Sequence, residues 1–315
     1  MIPNASERPV IPSASRRPVI LSASRRTDIP AFYAKWFLNR IRAGTCLVLN
    51  PFRPSQASRI SLLPEDLDAI FFWTRDPRPM LPGLPELDRR GHRYLFQITL
   101  LDYPRAIDPA SPPIGAVASA FAELADRIGP DRVIWRYDPI VLGAGMEPEA
   151  HVPRFERIAG LLRGKTKRVI VSVLDRYRKI ESRIRGLAAA GIEVAERPEE
   201  MAGFPEAMRG IADCARDHGM EIQSCAEQID LAPFGIPPGS CIDEGLLARA
   251  FGLPPGRRKD PSQRPRCRCV ESRDIGAYDT CLFGCAYCYA TQSRERAARN
   301  YAMHDPAAEA LVGMR

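Results

Sequence analysis

Seven short runs of β-branched, aromatic or aliphatic residues recur between Val19 and Ser224, and stretches of helical spacing separate most of them. The runs are Val19–Ser22, Cys46–Leu49, Ala69–Trp73, Tyr94–Leu100, Arg132–Tyr137, Arg168–Val173 and Glu221–Ser224. Such continuous apolar strands suit burial on both faces of a sheet. The intervening spacing predicts helices near 31–43, 79–90, 114–128, 151–163, 176–190 and 204–218. In the third of these, Val117, Phe121, Leu124 and Ile128 fall on one stripe. Pro30 suits a helix start, while Gly44, Gly129, Gly164, Gly191 and Gly219 suit helix exits. Repeated strand–helix units require parallel strands with helices outside them. The expected class is therefore α/β, a full or partial (β/α) TIM-like barrel.

The residues that follow the strands are polar. They include Ser22-Ala23-Ser24-Arg25-Arg26-Thr27-Asp28, Thr74-Arg75-Asp76, Arg136-Tyr137-Asp138-Pro139 and Cys225-Ala226-Glu227-Gln228. In a parallel barrel these ends converge on one rim, where active sites form. Before the barrel, Arg8–Arg16 is nearly repeated as Arg17–Arg25, and only the second copy leads into a helix. Residues 1–17 are thus expected to form a disordered arm, residues 18–230 the barrel, and residues 231–315 a Cys-rich segment closing its mouth. Small helices are expected at Asp243–Phe251 and Glu295–Met303.

The chain carries a net charge of +7, almost all of its basic residues being Arg. That balance fits either an anionic partner or a GC-rich coding bias. No apolar run approaches the roughly 18 residues of a membrane helix, and Met1–Val10 lacks the apolar core of a secretory signal. The reading is a cytoplasmic protein without a membrane partner. Reduced cysteines are then the rule, and seven of the nine lie at or after Cys225.

Cys281, Cys285 and Cys288 have the spacing C-x3-C-x2-C. A compact loop with that spacing can aim three thiolates at one cuboidal [4Fe–4S] cluster and leave one iron open. Structural zinc takes four closed ligands, and electron-transfer cubanes take four thiolates. A zinc loop borrowing a fourth ligand is the competing reading. Cys225, Cys241, Cys267 and Cys269 form a further set that fits a second [4Fe–4S] cluster or zinc. Arg264, Arg266 and Arg268 either offset the charge of that centre or form a solvated loop. Cys46 and Cys214 read as small buried hydrophobes. His92, His151, His218 and His304 lack metal spacing and read as surface or helix-end residues.

The triplet, with the aromatic Tyr287 before its last cysteine, resembles the radical S-adenosylmethionine superfamily; Cys-Ala-Tyr-Cys-Tyr is distantly similar to spore photoproduct lyase. The resemblance implies a [4Fe–4S] cluster, bound S-adenosylmethionine (SAM) and its reductive cleavage to a 5′-deoxyadenosyl radical. It also implies an electron donor such as flavodoxin or ferredoxin. Here the motif follows the barrel instead of its first strand, as in a circular permutation. The order of motifs is similar to the domain of unknown function 1848 family. That likeness runs from Ser22–Pro30 through Phe72–Pro77 and Trp135–Ile140 to Asp274–Cys281.

Under that resemblance Tyr287 contacts adenine. Arg136 suits the methionine carboxylate, which its planar fork can bind at two points. Asp138 suits a ribose hydroxyl, unless the two only pair with each other. Arg25 and Arg26 offer a second such set, with Asp28 capping the helix at Pro30. Glu227 stands in for the acid that grips the methionine ammonium. The substrate is unknown, an anionic one being favoured by charge. The alternative function is a zinc-stabilised nucleic-acid-binding protein using the Arg-rich segment.

Overall fold

The computed structural model describes residues 10–11, 19–51, 53, 55 and 56–313. Its strands are, in order, β1 (Val10–Ile11), β2 (Val19–Ala23), β3 (Thr45–Leu49), β4 (Ala57–Ser61), β5 (Leu67–Thr74), β6 (Tyr94–Thr99) and β7 (Val133–Ile140). They continue as β8 (Gly143–Ala144), β9 (Arg168–Val173), β10 (Glu193–Val194), β11 (Glu221–Cys225), β12 (Pro238–Gly239) and β13 (Arg273–Asp274). The α-helices are α1 (Ile29–Phe32), α2 (Ala34–Ala43), α3 (Leu84–Arg89), α4 (Ile114–Ile128) and α5 (His151–Leu161). After them come α6 (Glu181–Gly186), α7 (Phe204–Asp217), α8 (Glu244–Phe251) and α9 (Arg294–Ala302).

The chain divides into two compact units. The first takes residues up to Leu95, Ser272–Leu282 and the chain from Ala290 onward; the second takes Phe96–Glu271 and Phe283–Tyr289. In the first unit the parallel strands run β13-β2-β5, and a separate sheet runs β1-β4-β3. β2 and β5 contribute Ile20, Leu21, Ile70, Phe71 and Phe72 to a solvent-free core, against which α2 sets Trp36 and Phe37. The Phe37 and Phe72 rings meet edge to face at 5.2 Å, a geometry favoured by the ring quadrupole. Asp28 caps α1 as expected, its carboxylate accepting from the Ala31 amide at 3.0 Å and from the Arg75 amide at 2.7 Å.

In the second unit the parallel order is β12-β11-β9-β7-β6. Trp135, Tyr137 and Phe155 form its aromatic centre, with ring separations of 4.4 Å and 5.1 Å from Phe155. α4 buries Val117, Phe121, Leu124 and Ile128, the stripe legible in its sequence. With its parallel strands and intervening helices, the fold is α/β and of the partial TIM-like barrel class. Among the described residues no helix is long and apolar enough to cross a membrane.

One expectation needs correction. Cys46–Leu49 is a strand, but it pairs antiparallel with β4 and not with the parallel strands. The chain between β3 and β4 is too short to hold the crossover helix that a parallel partner demands, so a hairpin forms. His151 is a helix-end residue, as one of the two readings had it, and is fully buried at the start of α5. Its Nδ1 lies 2.9 Å from the Tyr137 hydroxyl and its Nε2 2.9 Å from the Val141 carbonyl oxygen. The arm expected over residues 1–17 lies outside the described residues except for Val10–Ile11, which pair with Ala57 and Ser58.

Burial, and then the nearby Arg154 charge, push the His151 pKa down from 6.5 to about 4. The unfolded chain therefore takes up this proton first as pH falls. The contribution of His151 to stability is complete above about pH 6.5 and is lost as the pH falls toward 4. The expected loss is about 3 kcal/mol. His151→Gln should flatten that part of the stability profile, measured by urea unfolding at pH 7 and pH 4.5.

Candidate metal centre

Strand alternation decides which side chains share a face of the second unit's sheet. Along β7, Trp135 and Tyr137 are buried in the apolar core while Arg136 and Asp138 point the other way. On β6 Gln97 is fully buried and polar, and on β9 Ser172 hydrogen-bonds Asp138. The polar face of β6, β7 and β9 thus carries Gln97, Arg136, Asp138 and Ser172.

Strand register then brings cysteines to this face. β11 ends on Cys225, which pairs with Gly239 of β12. Two residues later the chain reaches Cys241. Its sulfur lies 2.7 Å from that of Cys225. Cys269 arrives from the following loop and is held by its backbone: its carbonyl accepts from the Asp260 amide at 2.9 Å, and Val270 donates to the Ile242 carbonyl at 3.2 Å. The Ile242 amide also points at the Cys269 sulfur, 3.4 Å away. The sulfurs of Cys225, Cys241 and Cys269 all lie within 4.8 Å of one another, and all three residues are buried. Cys267 is buried as well, and its amide donates to the Arg264 carbonyl at 2.9 Å. The sulfur triad is capable of holding a metal ion.

Arg136 is the cation of this site. One guanidinium nitrogen lies 2.9 Å from Gln97 Oε1 and 2.8 Å from the Cys241 sulfur; another pairs with Asp138. The Gln97 amide in turn donates to the Cys241 carbonyl at 2.5 Å. Burial opposes the Arg136 charge, but the sulfurs of Cys241, Cys225 and Cys269 outweigh it and raise the pKa. Hydrogen bonds to Cys241 and Cys269, followed by burial, push the Cys225 thiol up. The arginines of the Cys-rich segment have other partners. Arg264 pairs with Asp175, Arg266 with the Gln228 carbonyl and Arg268 with the Pro238 carbonyl at 3.2 Å.

The remaining candidate residues fall in both units. In the second, the Glu227 carboxylate accepts from the amides of Val173 at 2.6 Å, Gln228 at 2.7 Å and Ile229 at 3.0 Å. It fixes the backbone after β11. Tyr287 directs its hydroxyl at Asp108, 3.2 Å away. In the first unit, Arg25 lies over the Trp73 ring at 5.1 Å and Arg26 over Tyr278 at 5.4 Å.

In the C-x3-C-x2-C loop, Cys285 is buried and Cys281 and Cys288 are half-buried. Gly284 takes a positive φ of 66° between the first two cysteines, a conformation that costs glycine little. The Ala286 amide donates to the Ile107 carbonyl at 2.9 Å, and Arg183 donates to the Cys288 carbonyl. The base of the loop closes in the first unit, where the Asp279 amide donates to the Ala290 carbonyl at 3.0 Å.

Sequence reasoning missed several contributors. Asp274 accepts from Ser22 at 2.7 Å, Ser24 at 2.8 Å and the Arg25 amide at 2.8 Å, tying β13 to the loop after β2. Its sequence signal was its place at the head of the Asp274–Cys281 stretch that carries the family likeness. A second ligand-type group joins Glu156 of α5 to Cys214 of α7 and His218 just after it, all within 4.8 Å. Cys214 is buried as expected, but its thiol donates to Glu156 at 2.7 Å. Burial, then that carboxylate, push the thiol up to about 12, which argues against a nucleophile.

A parallel α/β fold with a buried cysteine triad at strand ends defines the class: a cysteine-rich α/β protein with a candidate metal centre. The chain belongs to the DUF1848 family, a domain of unknown function that matches residues 20–290. No curated protein matches it. Among solved structures it is similar to a "putative alpha-L-fucosidase" from Bacteroides thetaiotaomicron VPI-5482, at 11% identity and a TM-score of 0.29, over 75% of this chain and 83% of that one. A likeness that weak carries no argument about fold or chemistry.

Removing the Arg136 charge leaves Asp138 without its cation in a largely enclosed site. Arg136→Met should lower stability by about 3 kcal/mol, the usual cost of breaking such a pair. Arg136→Lys should recover only part of the loss, because an ammonium cannot reproduce the planar fork. Urea unfolding of the three proteins measures both effects.

Proposed function

We propose that the protein is an iron–sulfur radical SAM enzyme. The observation that carries this reading is the C-x3-C-x2-C spacing of Cys281, Cys285 and Cys288. The donor set fits a cluster: three thiols in a loop of irregular backbone, with Cys285 shielded from water. Cys281, Cys285 and Cys288 would hold a [4Fe–4S] cluster, with SAM at the iron that no cysteine ligates. When bound and reduced, such a cluster would supply one electron for cleavage of SAM to methionine and a 5′-deoxyadenosyl radical.

The chain's own residues hold and orient. Arg183 and Ile107 fix the backbone of the loop through Cys288 and Ala286. Asp108 holds the Tyr287 hydroxyl, which sets the orientation of the ring assigned to adenine. Arg25 and Arg26 remain proposed SAM contacts, in the first unit. The others already serve elsewhere: Asp138 bonds Arg136 and Ser172, Arg136 serves the sulfur triad, and Glu227 the loop after β11. The basic surplus suits an anionic substrate, and the electron would come from a flavodoxin- or ferredoxin-type donor.

Protein purified without oxygen should contain iron and sulfide and, when reduced with dithionite, give an EPR signal that changes on adding SAM. It should form 5′-deoxyadenosine. Changing Cys281, Cys285 and Cys288 together to Ala should abolish the SAM-sensitive signal and at least 99% of product formation. Survival of that signal in the triple variant would exclude this assignment.

A further inference from the structure

We infer that Cys225, Cys241 and Cys269 hold a single zinc ion and not a second iron–sulfur cluster. The inference goes beyond the radical reading and does not rest on it.

Sulfur spacing carries the choice. A tetrahedral zinc ion with bonds of about 2.3 Å sets its thiolates about 3.8 Å apart. The three sulfurs lie within 4.8 Å of one another, with Cys225 and Cys241 at 2.7 Å. The Cys225 and Cys241 pair is closer than the tetrahedral edge and no pair is separated by more than 4.8 Å, so side-chain rotations suffice to admit one ion. A cubane interposes its own irons and sulfides between the thiolates and needs a wider set of sulfurs.

The backbone offers little room for that widening. Cys225 is the last residue of a strand paired on both sides, with β9 and with β12. Cys241 follows β12 by two residues. The Cys269 carbonyl is hydrogen-bonded to the Asp260 amide, and the next residue is bonded to Ile242. All three are less than a tenth exposed. With the backbone held by these buried hydrogen bonds, whose loss would leave polar groups without partners, any widening falls to the three cysteine side-chain rotations alone.

Three thiolates and Zn²⁺ sum to −1; the Arg136 guanidinium beside Cys241 and the Asp138 carboxylate paired with it cancel, so the enclosed site keeps a single negative charge. Cys267, buried and two residues before Cys269, is placed in the sequence to supply a fourth sulfur. The other ligand-type group, Glu156 with Cys214 and His218, has its carboxylate side chain 56% exposed. It has no comparable enclosure.

The test separates this site from the cysteine triplet. Protein purified without oxygen, both wild type and the Cys281→Ala, Cys285→Ala, Cys288→Ala variant, is analysed for zinc, iron and sulfide, with circular dichroism to confirm the fold. About one zinc per chain in both proteins, with iron lost from the triple variant, is the expected result. Adding Cys269→Ser should reduce the zinc at least tenfold. Iron and sulfide retained by the triple variant, or a folded triple variant free of metal, would overturn the inference. Zinc-edge X-ray absorption of the wild-type protein decides the question independently of any variant. Three or four sulfurs at about 2.3 Å support it, and a shell of oxygen and nitrogen alone, or the lack of bound zinc, refutes it. Failure of the radical reading would appear separately, as a wild-type protein without iron.

Discussion

A largely buried guanidinium needs an acceptor for each donor that it turns away from water. Arg136 meets that demand with Gln97, Asp138 and the sulfur of Cys241. These partners come from two neighbouring strands and from the segment after β12. The contact therefore couples strand pairing to the cysteine site: a one-residue slip of β7 would turn Arg136 into the aromatic core and Tyr137 toward the sulfurs. Gln97 adds a second link, since it accepts from Arg136 and donates to the Cys241 backbone.

Periodicity made the parallel framework legible. Runs such as Arg168–Val173 and the stripe of α4 depend on burial that is nearly independent of distant partners, so local pattern sufficed. The same pattern misassigned β3, because an apolar run does not state which strand it will pair with; the short connection to β4 does. The burial of His151 was not legible for a related reason. A histidine at a helix start looks exposed until the tyrosine and carbonyl that enclose it are brought together from elsewhere in the chain.

The cysteine site was legible in its donors and not in its geometry. Counting and spacing singled out the four cysteines, but nothing local shows that Cys225 and Cys241 meet through the register of β11 with β12. Charge was harder still. The run of arginines from 264 to 268 drew attention as the counter-charge; Arg264 does interact with the charges of Cys267 and Cys269, while the three side chains pair with Asp175 and backbone carbonyls. The cation nearest the sulfurs is Arg136, more than a hundred residues earlier, and only the fold reveals it. Asp274 belongs to the same category, an acid whose role is fixed by the serines of β2 and its loop.

β13 lies parallel to β2 through Arg273 and Asp274. The edge of β2 that it covers is made some 250 residues earlier. During synthesis β13 cannot cover that edge until residue 274 has left the ribosome, and the serines and Arg25 amide that bind Asp274 lack this partner until then. Chains made from the N-terminus begin to fold before they are complete. The first unit of this protein is an exception at its margin: its final strand arrives last, so truncation anywhere before Arg273 yields an uncovered sheet edge, a template for unwanted strand addition.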